Sequence, residues 1–330
     1  MLYLYAVADK PSKLGKEDKM GYIFLAIALF FGSVKGYSGK KSSSSITSGD
    51  ESLVVSASRM LICIIIGFFT LLIGGEISSI LPADNTILIS ALSGFSNAIF
   101  ISTWLAAVMS GAFMMVESFV LIGVAVPIAL CRIFFNEQIS IQQIIGIVIL
   151  LVAVYVMCTY NASIKGKISP RSLAVLVICG VASGFADFSQ KLFVKTVDGG
   201  SVAVFNFYTY FFASIALVLS YLVFFVINKK KGVPMRSPRN VIRPIWFHVV
   251  FMSVCIFLYS YFKTLAAGYL DAALIYPLSQ GVGVTLSLLL AHFFFGERIN
   301  KKCIIGMSLA FVAMLLINLD LSSIFGKVLI

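Results

Sequence analysis

Long apolar runs, broken by short charged tracts and turn residues, dominate the chain. No charge occurs for 27 positions between Glu137 and Lys165, and none for 25 between Asp271 and Glu297. A membrane-spanning helix needs about 20 apolar residues, so runs of this length predict spans rather than the core helices of a soluble fold. Charges and turn residues cut the sequence into ten predicted spans. The first two cover roughly Gly21 to Gly39 and Arg59 to Gly75. Asp84 to Arg132 encloses 47 residues with one charge, Glu117, too long for a single crossing, and is expected to fold back at Ser110-Gly111 as spans three and four. Span five is Ile141 to Tyr160, span six Arg171 to about Leu192, and span seven Ser201 to Ile227. Ile245 to Lys263, Ala272 to Phe295 and Cys303 to Leu319 complete the set. The Ser-rich segment Lys40 to Asp50, GEISSILPADN and KKKGVPMRSPR have no spanning capacity. The expected fold class is an all-α polytopic membrane protein.

Composition agrees. Hydrophobic residues make up 60% of the chain and charged residues 12%, with a mean hydropathy of +1.01. A soluble domain carries about 25% charged residues because water wets its surface. The formal net charge of +11 resides in short tracts beside apolar runs, such as Lys229, Lys230, Lys231, Arg236 and Arg239. Such tracts meet anionic lipid and set orientation; no nucleic-acid-binding pattern accompanies them. Six cysteines without a CxxC pair and two separated histidines predict neither a disulfide frame nor a metal site. No cofactor is expected. The N-terminal arm is polar and lacks the apolar core of a signal peptide.

The two halves repeat. FFNEQIS (Phe134 to Ser140) and FFGERIN (Phe294 to Asn300) match at an offset of 160. The same offset carries Ile144-Ile145-Gly146 onto Ile304-Ile305-Gly306, Val152-Ala153 onto Val312-Ala313, and Leu105-Ala106-Ala107 onto Leu265-Ala266-Ala267. An earlier segment, LFFGSVKGYS, aligns loosely with GVASGFADFSQ at an offset of 152. The predicted unit is five spans, and an odd number makes the second copy run opposite to the first. Such inverted repeats recur in secondary transporters. The expected organisation is a polar arm (1–19), a first five-helix repeat (20–162), a second (170–320) and a tail (321–330).

At these residues the chain resembles the drug/metabolite transporter superfamily in its ten-span EamA-type branch. In that family each half closes with apolar–aromatic–Gly–Glu–Arg/Lys followed by a Gly-bearing last helix. Phe295-Gly296-Glu297-Arg298 and Gly306 match this well. Phe135-Asn136-Glu137-Gln138 and Gly146 match less well, with Asn136 and Gln138 replacing the usual Gly and basic residue. Arg59 also sits where the family often places an arginine. The resemblance implies fold and transport, and leaves the substrate open.

An intramembrane charge costs at least ~2.5–3.5 kcal/mol on insertion scales and usually faces a cavity or a partner. Glu117 is the strongest candidate for the substrate or ion pathway, either as a cavity-lining acid or as a protonated carboxyl joining two helices. Asp187 is expected to face the cavity by resemblance, and Lys35 falls opposite it under the offset of 152. The two are a candidate pair, whether for transport or only to hold helices together. Lys263 is placed at a helix end, where it would snorkel to the interface. Asn97, Trp104, Gln190, Tyr259, Tyr276 and Gln280 are candidate pocket residues, although aromatics in a bundle more often pack than bind. Pro277 removes a backbone donor within a membrane helix, with Gly281 and Gly283 beyond it, and marks a kink or hinge; Pro127 does so more weakly. Glu137 and Glu297 are expected to cap or anchor helix ends.

The expected function is secondary transport of a small polar or amphipathic metabolite by alternating access, uncoupled or coupled to protons, as monomer or homodimer. Location in a cell membrane, most naturally a bacterial cytoplasmic membrane, follows. Neither catalytic motif nor nucleotide-binding loop is found, so no enzymatic role is expected. A lipid-carrier flippase and a non-transporting scaffold remain as alternatives. Sidedness stays open: the resemblance and Lys10, Lys13, Lys16 and Lys19 place the termini in the cytoplasm, whereas Lys165, Lys167, Arg171 and KKKGVPMRSPR then lie outside, against the usual bias.

Overall fold

The structure is a computed structural model and describes residues 16–43, 45–82, 84–109, 116, 119–121, 123–165, 170–295 and 301–318. Glu117, Gly296 and Glu297, most of the polar arm and the tail lie outside these residues. The described chain is helical. Its principal helices are α1 (Lys16–Ser43), α2 (Gly49–Ile73), α3 (Thr86–Met109), α4 (Ala125–Phe135) and α5 (Ile141–Lys165). They continue as α6 (Pro170–Thr196), α7 (Val202–Lys230), α8 (Trp246–Tyr269), α9 (Ala272–Phe295) and α10 (Lys301–Asn318). Among the described residues, α1, α2, α3, α6, α7 and α8 are long and apolar enough to cross a membrane, with shorter apolar stretches at Ile141–Ala153 and Ile304–Ile317. The chain is a multi-pass helical membrane protein. Leu72, Ile73, Leu88, Leu219 and Val223 are among its many exposed large apolar residues, an outer surface suited to lipid.

Three boundaries differ from those expected, each for a local reason. Helix α1 runs on through Ser43, and α2 begins at Gly49, ten residues before Arg59. The early start of α2 follows from its first turn. Asp50 and Glu51 lie there, complementing the positive end of the helix dipole. The Glu51 carboxylate accepts from the Thr47 backbone N–H (2.8 Å) and hydroxyl (3.1 Å) and pairs with Arg236 at 3.2 Å. Helix α8 continues to Tyr269, six residues past Lys263, so Lys263 is not at a helix end.

Inter-helix contacts follow a rule. Helix α1 packs along α8 and α3 along α6; α3 meets α7 and α2 meets α8; α6 touches α4 and α1 touches α9; α2 pairs with α7 and α5 with α10. Replacing each helix by the one five places away in the chain carries each of these pairs onto another of them or onto itself. The self-matched pairs run antiparallel. Leu71, near the end of α2, clusters with Ala203 and Val204 at the start of α7, while Glu51 reaches Arg236 beyond the other end of α7. At the start of α5 the Gln142 amide donates to the Leu316 carbonyl near the end of α10. A Cβ on Gly146 would press on Ile317, so glycine permits that approach.

Asn136 sits in the left-handed region at φ 52° at the C-cap of α4. That conformation explains the position. Glycine adopts it at no steric cost, and asparagine is the next most tolerant residue. The next residue, Glu137, accepts from the Ala272 N–H at the start of α9 (2.9 Å) and lies 3.4 Å from the buried Lys191 ammonium. Lys191 also donates to the carbonyls of Ala267 (2.9 Å) and Leu270 (2.6 Å) at the end of α8. The Glu137 carboxylate thus ties the first half to the α8–α9 corner of the second.

Candidate functional site

A cavity of about 120 Å³ lies between the halves, walled by α1, α2 and α3 from one and by α6, α7, α8 and α9 from the other. Lys35, Asn97, Trp104, Asp187, Gln190, Tyr259, Gln280 and Gly283 all line it. Tyr276 stands behind the wall, fully buried, and its hydroxyl donates to the Asp187 carbonyl at 2.7 Å. Glu117 lies outside the described residues.

Asp187 organises the second-half wall. Its Oδ1 accepts from Lys263 Nζ at 2.7 Å and its Oδ2 from the Gln280 amide at 3.3 Å. Lys263, 1% exposed, also donates to the Tyr259 hydroxyl (3.1 Å) and lies 5.3 Å from the ring centroids of Tyr259 and Tyr276. The partner of Asp187 is therefore Lys263 and not Lys35. Lys263 does not snorkel, because the helix carries on beyond it and a carboxylate meets it in the interior. On the same wall Gln190 donates to Ser260 (3.3 Å), and Ser260 to Asn206 (2.7 Å), a chain of neutral polar contacts linking α6, α8 and α7.

The first-half wall is chemically different. The Lys35 ammonium sits over the Tyr259 ring, 4.1 Å from its centroid. Arg59, with no exposed surface, projects from mid-α2 into the cavity lining. Its Nη2 donates to the Ser42 hydroxyl, while Nε and Nη1 have no partner among the described residues. Hydropathy alone starts the second span at Arg59 and so leaves this residue out of the pathway. The acidic pair Asp50-Glu51, a good N-terminal turn, was the available signal that Arg59 lies deep within the helix.

The remaining positions divide by role. Pro277 is a buried interior residue of α9, where it leaves the Ala273 carbonyl without its helical donor. Pro127 falls in the first turn of α4, just after a turn at Gly123–Val124, where a missing N–H costs little. A Cβ on Gly283 would meet nothing within 4 Å, so this residue faces open space rather than a close helix contact; Gly281 is buried. Real close approach occurs where α4 begins. There a Cβ on Gly123 would run into the Gly180 carbonyl, and one on Gly184 into the Gly123 carbonyl. Gly146 and Gly306 are both buried, Gly146 at the α5–α10 contact. Among the described residues no group of three His, Cys, Asp or Glu side chains could hold a metal ion.

No curated protein matches the chain. Solved structures share its fold. One, described as "Crystal structure of protein", aligns at a TM-score of 0.67 and 14% identity over 91% of this chain and 96% of that one. Residues 171–319 match the model of the EamA-like transporter family. Over those residues the second half of this chain is similar to an EamA-like transporter unit.

Proposed function

We propose that the protein is a ten-span secondary transporter whose two inverted five-helix halves alternate access to the cavity between them, carrying a small polar or amphipathic metabolite. The observation that carries this reading is the cavity itself, enclosed by helices of both halves and lined by intramembrane charge. The interchange of contacts between helices five apart, with antiparallel self-matched pairs, supports the inverted repeat. A cavity between the halves also favours transport over a scaffold, which would need only a filled core. Asp187 is the described acid on the wall; with Glu117 it is the candidate for proton coupling, and the Asp187–Lys263 pair offers a carboxylate whose partner could be exchanged during the cycle.

Purified protein in proteoliposomes, screened for uptake and efflux of a metabolite panel, tests the reading. The expected result is saturable exchange that changes with pH, slowed in Asp187→Asn and Glu117→Gln. If both variants keep the unmodified rate and pH profile, these acids do not serve transport. Labelled-lipid scrambling without any solute exchange would identify a flippase instead.

A further inference from the structure

We propose that the substrate carries an oxyanion, a carboxylate or phosphate, which docks on the Arg59 guanidinium with Lys35 as the second cation, while its apolar body lies against Trp104 and Tyr259. The inference rests on reading the cavity as the substrate site of a transporter.

The sign of the cavity leads to it. Lys35 and Arg59 line the space, and among the described residues no carboxylate reaches either of them; the one acid on the wall, Asp187, is already neutralised by Lys263. The balance stays positive with Glu117 counted, since three cations then stand against two acids. A buried guanidinium is costly unless its donors are satisfied. Among the described residues Arg59 has only the Ser42 hydroxyl, with Nε and Nη1 unpartnered and the side chain fully buried. Those two nitrogens belong to a planar fork that matches two oxygens of one carboxylate or phosphate group. A cationic solute would meet repulsion from both groups. The aromatic surface of Trp104 and Tyr259 suits an apolar body beside the charged head.

The test uses the full chain in detergent with Trp246→Phe. Trp246 is 59% exposed at the start of α8, away from the cavity, and its removal leaves Trp104 as the sole indole reporter. Three probes share a phenyl body: 3-phenylpropionate, benzyl phosphate and 3-phenylpropylamine. The expected result is a saturable shift in Trp104 emission with one or both anions and none with the amine. Arg59→Gln should weaken anion binding at least tenfold, with Arg59→Lys intermediate. A response to one anion only identifies which oxyanion the site takes. Saturation by the amine, absence of saturation by either anion, or anion affinity unchanged in Arg59→Gln overturns the proposal. The probe comparison in otherwise unmodified protein stands even if Arg59→Gln fails to fold. Proteoliposome exchange separates the two readings. Solute exchange without anion binding removes only the anion site, and anion binding without flux of any solute removes only the transporter.

Discussion

The two walls of the cavity, α1 to α3 on one side and α6 to α9 on the other, are opposite in chemistry. On the second-half wall, Asp187, Lys263, Gln280 and Tyr259 satisfy one another at hydrogen-bond distance. On the first-half wall, Lys35 sits over an aromatic face and Arg59 keeps two donors without a partner among the described residues. A closed ion network holds helices in register, because breaking it strands a charge. An open cation is costly to the empty fold and is therefore better explained by what it binds. One wall is thus internally paired, while the other presents cations that the described residues leave open to a ligand.

The largest expected effect breaks the closed wall. Asp187→Asn or Lys263→Met alone leaves one buried charge unpaired and should lower stability by about 3–5 kcal/mol. The double variant should recover most of that loss. Thermal unfolding of the purified chain in detergent measures all three, and equal losses in singles and double would mean that the pair is not coupled. Next come the glycines. Gly184→Val forces a side chain against the Gly123 backbone and Val126 and should cost about 1–3 kcal/mol, seen as reduced folded yield.

Arg59→Met sharpens the contrast by its sign. On the open wall, removal of an incompletely satisfied charge should leave the melting temperature unchanged or raise it, while the ligand-dependent stabilisation disappears. A loss of stability as large as that of Asp187→Asn would show that Arg59 is structural too.

The smallest effect lies outside the membrane. The Asp84 carboxylate accepts from the Thr86 N–H at 2.8 Å at the start of α3, and hydrogen bonds from Thr86 hold its pKa below the ordinary carboxylate value. A depressed carboxylate pKa contributes stability that is present above the unfolded value, about 4, and is lost as pH falls through the folded value. Asp84→Asn should remove that small acid-limb dependence, measured as melting temperature between neutral and acid pH, and leave cavity function intact.

Much of this architecture is legible in the sequence. Uninterrupted apolar runs locate the helices, and the FFNEQIS and FFGERIN segments match at an offset of 160. Gly146, singled out with Gly306 by the 160-residue offset, lies at the α5–α10 contact against Ile317. Partner choice was less visible. Asp187 and Lys263 are 76 positions apart and meet only through helix packing, so the sequence suggested Lys35 from a loose alignment instead. Arg59 was hidden for another reason. Hydropathy begins a span where charge ends, whereas the polar first turn of α2 is held by Glu51 contacts with Thr47 and Arg236, the latter 185 positions away.

The central claim, that solute crosses through the cavity between the halves, is tested most directly by filling that cavity where the fold leaves room. Gly283 lines it and has open space at its Cβ position, so Gly283→Phe should fold normally and obstruct the path. In proteoliposomes the unmodified protein is predicted to exchange a panel solute saturably, and Gly283→Phe, at equal folded yield, to lose at least nine-tenths of that rate. Exchange that continues at the unmodified rate in folded Gly283→Phe would contradict the account.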